Sequence, residues 1–176
     1  SIGDFEIAAL EISAAEFLDF IDDQEPSGRE TRWGEIRSKN SRNDVPAEHI
    51  AWYDAVEFCI WLSKKEARQS CYGTREIVAE AFADSTNPEC DREKNGYRLP
   101  TNGEWELVCR AGTSSLWPFG TNDEYLEFYA NSLNSKSGGE LQPIGWLRPN
   151  PWGMFDMLGN VSEWTDSIVI ADEPPA

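Results

Sequence analysis

The order of apolar and polar positions divides this chain into a patterned first two thirds and an irregular remainder. In "FEIAALEIS" (5–13) apolar and polar residues alternate with β-branched side chains among them, which predicts a strand. Ser13 with Glu16 three residues on forms a capping box, and a short helix follows over "AAEFLDFIDD" (14–23) with Phe17, Leu18 and Ile21 turned inward. The next stretch, "EPSGRETRWGEIRSKNSRNDVP" (25–46), is polar and contains Gly and Pro, and reads as a long loop.

In "HIAWYDAVEFCIWLSKKEARQ" (49–69) a short extended piece leads into a helix. Ala55, Phe58, Cys59 and Leu62 fall at helical spacing and form its core stripe, while Lys64, Lys65 and Arg68 suit its C-terminal end. His49, the one histidine of the chain, stands in the extended piece and reads as packed or partly exposed. "NGYRLPTNGEWELVCRAG" (95–112) is the clearest local unit. Asn95-Gly96 is a turn, Tyr97 to Leu99 are extended before Pro100, and Thr101 caps a helix with Glu104 at the box position. Trp105, Val108 and Cys109 are expected inside, and Gly112 is expected to stop the helix. Beyond residue 112 periodicity fades. "LWPFGTND", "YANSLNSKSGGE" and "PIGWLRPNPWGMFDMLGN" interleave aromatics with Gly, Pro and Asn, which predicts long ordered loops rather than a low-complexity linker.

Composition adds three points. First, 176 residues suffice for one domain with a sizeable core, and eight tryptophans, each with a large apolar body and one N–H to satisfy, suit a loop-rich fold pinned by aromatics. Second, 15 basic against 32 acidic residues give a formal charge of −17, which disfavours nucleic acid and anionic membranes and is compatible either with cation binding or with a solvated acidic surface. Third, no apolar run approaches the roughly 18 residues of a membrane span. The N-terminus also has neither the basic flank nor the apolar core of a secretory leader, so membrane insertion is not expected. A soluble protein, cytoplasmic or exported, is the expectation.

The four cysteines form no CxxC pair, which argues against a zinc ribbon. Cys59 and Cys109 sit in helical patterns and read as buried thiols. Cys71 and Cys90 flank the irregular "CYGTREIVAEAFADSTNPEC", where a disulfide and two free thiols both remain open. There is no Ser/His/Asp set, glycine-rich phosphate loop or HExxH. Asp156 and Glu163 could form an acid/base pair, but structural roles fit them better.

The stretches "FEIAALEISAAEF", "PAEHIAWYDAVEFCIWLS", "GYRLPTNGEWELVCRAGT", "WPFG", "YANS" and "PIGWLRPNPWGMFDMLGNVSEWT" occur in an order that resembles the formylglycine-generating enzyme family, also called the sulfatase-modifying factor domain. The style of "CRAGT" and "PNPWGMFDMLGNVSEW" resembles bacterial members joined to kinases or other signalling modules. The resemblance implies an α+β fold, the formylglycine-generating-enzyme variant of the C-type-lectin fold. Two main helices would lie against a small antiparallel sheet, with long ordered loops. It further implies that residues 1–176 form a single domain lacking the family's first strand and its C-terminal strands. Two departures stand out. Ala51 replaces a hydroxyl N-cap, costing about 1 kcal/mol, and Asn102-Gly103 replaces Glu-Ala.

The family's enzymes hold copper through two cysteines in that C-terminal segment, and none of the four here matches them. No catalytic residue is therefore assigned, and copper would require cysteines outside this chain. The resemblance also implies calcium, held by the backbone carbonyls of Leu158, Gly159 and Val161 and the carboxylate of Glu163, with Asn160 shaping the turn; the alternative is a tight turn in which Glu163 caps backbone amides and Trp164 is a core anchor. A weaker second calcium site would begin at Asn131 and Ser132. Asn160-Val161-Ser162 is a glycosylation sequon, but a buried turn suits it poorly. The expected function is a non-catalytic module that binds a protein or small-molecule ligand. One alternative is a formylglycine-generating oxidase whose cysteines lie elsewhere. Another is a supporting domain of an oxygen-dependent iron enzyme, which would need histidines from another domain.

Overall fold

The computed structural model describes residues 3–24, 30–74, 88–133 and 137–166. In chain order the described elements are α1 (Ala14–Asp22), α2 (Glu30–Lys39), α3 (Trp52–Lys65), α4 (Asn102–Arg110) and a 3-10 helix, Asp123–Phe128.

Both capping boxes form as the sequence predicts. The Glu16 amide donates to Ser13 Oγ at 3.2 Å and the Ser13 amide to Glu16 Oε2 at 2.9 Å. In α4 the Glu104 amide donates to Thr101 Oγ1 at 3.2 Å and the Thr101 amide to Glu104 Oε2 at 2.8 Å. Arg98 grips the same carboxylate with two bonds of 2.7 Å and holds its pKa down at about 2. At the start of α3 the missing hydroxyl at Ala51 is half compensated. Asp54 accepts the Ala51 amide at 2.9 Å and is itself paired with Arg32 Nη2 at 2.6 Å. The stop of α4 falls one residue before the predicted glycine: Ala111 takes the left-handed φ of 48°, and Gly112 continues with φ 77°.

Three expectations are corrected. The polar stretch after α1 is not all loop, because α2 forms within it. Its apolar signal is only Trp33 and Ile36, one turn apart, yet both are buried and drive its docking. Trp33 meets Phe20 edge-on at 5.7 Å. The strand predicted for 5–13 does not form, since bends at Ala9 and Leu10 interrupt it. Among the described residues the small antiparallel sheet is absent too, and pairing is limited to isolated bridges at Ser13–Pro46 and Trp117–Gly120. The Ala14 and Ala47 amides bond the Val45 and Ile12 carbonyls across the first bridge, in which Pro46 occupies a position whose N–H the pairing does not use.

The inward faces also differ in detail. Phe17, Phe20 and Ile21 are the buried face of α1, and Leu18 is only half-buried. Helix α3 is covered on two sides rather than one. Phe58 stacks on Phe17 at 5.4 Å in the first core, whereas Val56 and Cys59 join Tyr72 in a second. That division leaves Ala55 and Leu62 half-buried. A third core joins Val108 to Met154 and Met157, with Trp105 and Cys109 only partly covered. His49 is half exposed at φ 58°, its carbonyl held by Arg32.

If α2 is held by its two buried residues, Trp33→Ala should destabilise the protein by about 3 kcal/mol in urea unfolding. A loss below about 0.5 kcal/mol would show that the helix contributes nothing to the core.

Candidate functional site

The turn at 158–163 is shaped by a close approach of two backbones. A Cβ on Gly159, at φ 131°, would lie 2.0 Å from the Asn131 carbonyl oxygen, so only glycine fits. The Asn160 amide then donates to that same carbonyl at 2.9 Å. Asn160 sits at φ 69°, a conformation asparagine tolerates better than most residues. Its side chain closes the unit: Oδ1 accepts from Asn131 Nδ2 at 3.1 Å and from the Gln142 amide at 3.0 Å, and Nδ2 donates to Glu11 Oε2 at 2.8 Å. These bonds occupy the amide of the sequon.

The structure therefore brings Asn131 against Gly159 and Asn160, joining two stretches that the sequence reading treated as separate. Ser132 is exposed. The side-chain oxygen of Asn131 accepts the Ser137 hydroxyl, and its amide donates to the Glu140 carbonyl at 2.8 Å. Glu163 accepts the Trp105 indole N–H at 2.9 Å. Trp164 is 48 % exposed and is corrected from core anchor to surface strap: its indole N–H bonds the Ile50 carbonyl at 2.8 Å while its face stays open. Leu158 and Val161 are half-buried.

Sequence reasoning missed Glu11, which it had counted as a polar position of a strand. One carboxyl oxygen holds Asn160, and the other is buried without a partner. Burial pushes its pKa up to about 8, with the charges of Asp156 and Glu163 adding to the rise and the Asn160 bond opposing it. Asp156 is buried at φ 56° and accepts the Gly145 amide at 2.6 Å; burial raises it too. Burial of its carboxyl group raises Glu163, although the residue as a whole is exposed, with Asp156 adding and the Trp105 bond opposing. Among the described residues no three His, Cys, Asp or Glu side chains are grouped as a metal cluster. A site built mainly from carbonyl oxygens is not of that kind.

Two open grooves flank the turn. One, of about 390 Å³, runs between α4 and the following loop and is lined by Trp105, Cys109, Leu116, Trp117, Leu158 and Thr165. Cys109 offers no activated nucleophile there, because burial raises its thiol pKa and the thiol points to the Met157 carbonyl at 3.6 Å. The other, of about 450 Å³, is lined by Glu48, His49, Leu141, Asn160, Val161 and Trp164. No helix among the described residues is long and apolar enough to cross a membrane.

Comparison with known proteins fits this geometry. The family model described as the sulfatase-modifying factor enzyme 1-like domain matches residues 1–171, and the chain belongs to that family. It is 31 % identical over 189 residues to a chaperone protein, LppX, of Paenibacillus barcinonensis, a match that covers 93 % of this chain and 62 % of that protein. It is 27 % identical over 135 residues to the formylglycine-generating enzyme of Mus musculus, covering 70 % of this chain and 27 % of the enzyme. The match to the mouse inactive C-alpha-formylglycine-generating enzyme 2 is also 27 %, covering 70 % and 32 %. Among solved structures, the Treponema denticola variable protein 1 superposes with a TM-score of 0.65 at 26 % identity, over 88 % of this chain and 59 % of that one. The chain thus spans under two thirds of the length of each of these proteins.

The raised carboxyls set a pH dependence. Glu11 keeps its proton when folded at pH values where the unfolded chain, with a value near 4.5, has lost it. Its contribution to stability is therefore full below pH 4.5 and is lost as pH rises towards 8, and Asp156 and Glu163 act in the same direction. The melting temperature should fall from pH 5 to pH 8.5, and Glu11→Gln should flatten much of that fall. Calorimetry showing the same slope in both proteins would refute the assignment.

Proposed function

We propose that this member of the sulfatase-modifying factor family is a non-catalytic binding module, and that its ligand is an apolar segment of another protein seated in the groove beside α4. The observation that carries the reading is Leu116. It is 67 % exposed on the lip of a groove whose walls present the Trp105 and Trp117 indoles. Both indole N–H groups are already committed, to Glu163 and to Asp123, so the rings offer apolar faces rather than donors. Similarity to a protein named as a chaperone, and to one named as an inactive enzyme of the family, supports binding without catalysis. A permanently unfolded, alkylated polypeptide is a direct probe. Leu116→Asp should weaken its binding at least tenfold in fluorescence anisotropy while leaving melting unchanged, because so exposed a side chain contributes little to stability. Equal binding by the two proteins would refute the groove.

The second reading, a formylglycine-generating oxidase that takes copper through cysteines outside this chain, draws on the similarity to the mouse enzyme. Under that reading the full-length protein would convert the cysteine of a sulfatase peptide to an aldehyde that a hydrazide probe captures. Under the binding reading no aldehyde forms.

Calcium belongs to this proposal as a structural ion. Leu158, Gly159 and Val161 would supply carbonyls and Glu163 a carboxylate, the hard oxygen set that calcium takes. A raised Glu163 beside Asp156 is where a divalent cation would relieve both burial and repulsion. Asn131 and Ser132 are the weaker candidates, since both Asn131 oxygens already accept hydrogen bonds. Adding EDTA should lower the melting temperature of the native protein by several degrees, and Glu163→Ala should abolish that response. A wild-type protein indifferent to EDTA would exclude a stabilising ion.

A further inference from the structure

The geometry points to Cys71 and Cys90 as a dithiol pair that closes to an intrachain disulfide under oxidising conditions. Three observations place the two residues together. The Asp91 amide donates to the Cys71 carbonyl at 2.8 Å, so the peptide that follows Cys90 is held directly against the main chain of Cys71. Cys90 packs against the Val56, Cys59 and Tyr72 core, and Tyr72 is the neighbour of Cys71. Cys71 also lies close enough to Cys90 to raise its thiol electrostatically. All four cysteines are free thiols in this structure.

Access is asymmetric. Cys71 is 2 % exposed, with its thiol towards the Gly96 carbonyl at 3.2 Å, whereas Cys90 is half-buried and open to a small reagent. Burial pushes the Cys90 thiol up to about 12, with Asp166 adding to the rise, so thiolate is scarce and exchange with an external disulfide is slow at neutral pH. Oxidised glutathione in excess at mildly alkaline pH supplies the oxidant. A thiolate of the pair attacks one of its sulfurs, forming a mixed disulfide and releasing one glutathione thiol. The second cysteine thiolate then displaces the other glutathione. Two S–H bonds are lost and one S–S bond forms, while the two electrons and two protons leave on the two glutathione thiols.

Closure has a structural consequence in the next turn. The Cys71 thiol gives up its contact with the Gly96 carbonyl, and Gly96 is the tightest backbone position of that region. A Cβ there would lie 2.3 Å from the Gln69 carbonyl oxygen. Cys59, on α3, shares the core against which Cys90 packs and lies within electrostatic reach of both thiols, but among the described residues no backbone hydrogen bond ties its main chain to 71 or 90, so Cys71 is the expected partner of Cys90.

The test maps the bond in the native wild-type chain. The protein is incubated with oxidised or reduced glutathione, quenched with acid, alkylated in urea and digested with trypsin. After oxidation the peptides 69–75 and 76–92 should be recovered joined, two hydrogens lighter than their sum, and dithiothreitol should separate them. Cys59 and Cys109 should remain fully alkylated. Peptides 69–75 and 76–92 that stay alkylated after oxidation would overturn the proposal. So would a stable glutathione adduct on Cys90 without the cross-link, or a cross-link that includes Cys59.

Discussion

The contact between Asn131 and the Gly159-Asn160 turn is the constraint on which the second half of this molecule depends. Backbone N–H and C=O groups withdrawn from water must find partners, and most folds meet that demand with ladders or helices. Between residues 112 and 166 the described regular structure is one 3-10 helix, so side chains take on the task. Asn160 ties residues 11, 131 and 142 to one turn. Asn150 does the same one loop earlier, donating to the Val108 carbonyl and accepting the amides of Trp152 and Met154. In the first half Asn40 spans Ile36 and Glu48 in the same manner. An asparagine amide carries both a donor and an acceptor, as a peptide group does, and so can replace a rung of a missing ladder.

The same close approach determines what the site can do chemically. Gly159 lets the turn pack against Asn131, the Asn160 amide ties it there, and Glu11, Asp156 and Glu163 lie near one another in partly dry surroundings. Three carboxyls so placed are costly when ionised and favourable when protonated or neutralised by a cation. The cost is offset by hydrogen bonds from Asn160 and the Val161 backbone to Glu11, from Gly145 to Asp156 and from Trp105 to Glu163. The bond from Trp105 also orients one wall of the groove beside α4, so the turn and the groove are parts of a single arrangement.

How much of this was legible in the sequence depended on how local the signal was. Both capping boxes are contained within four residues and formed where predicted. Helix α2 was hidden because two buried residues among eight polar or small ones do not produce a periodic pattern, and its stability comes from docking against α1. The strand at 5–13 had the right alternation, but a strand needs a partner, and among the described residues the facing segment pairs with it only at the Ser13–Pro46 bridge. The family turn was recognised from its motif, yet Glu11 was not. Nothing about a glutamate in an alternating run says that it will face an asparagine 149 residues away. Trp164 was misplaced for the opposite reason. An indole suggested the core, while the folded chain uses mainly its N–H.

The end of the described chain shows why the turn and the helices behave as one body. Three residues after the turn are fastened to different parts of the molecule: Trp164 to the Ile50 carbonyl, the Thr165 carbonyl to the Trp52 indole, and Asp166 to the Tyr72 hydroxyl and the Pro100 carbonyl. Ile50 and Trp52 bracket the N-terminus of α3, and Pro100 precedes the cap of α4. A displacement of the turn would therefore have to break indole bonds at the start of α3 and a backbone bond before the cap of α4 at once, each worth about 1 kcal/mol. The grooves on either side face no such restriction. Leu116 and the exposed His49 side chain lie at their rims, where a change of side chain leaves the frame intact. A fold held in this way lets side chains at the groove lips vary while the asparagine-held turn stays fixed.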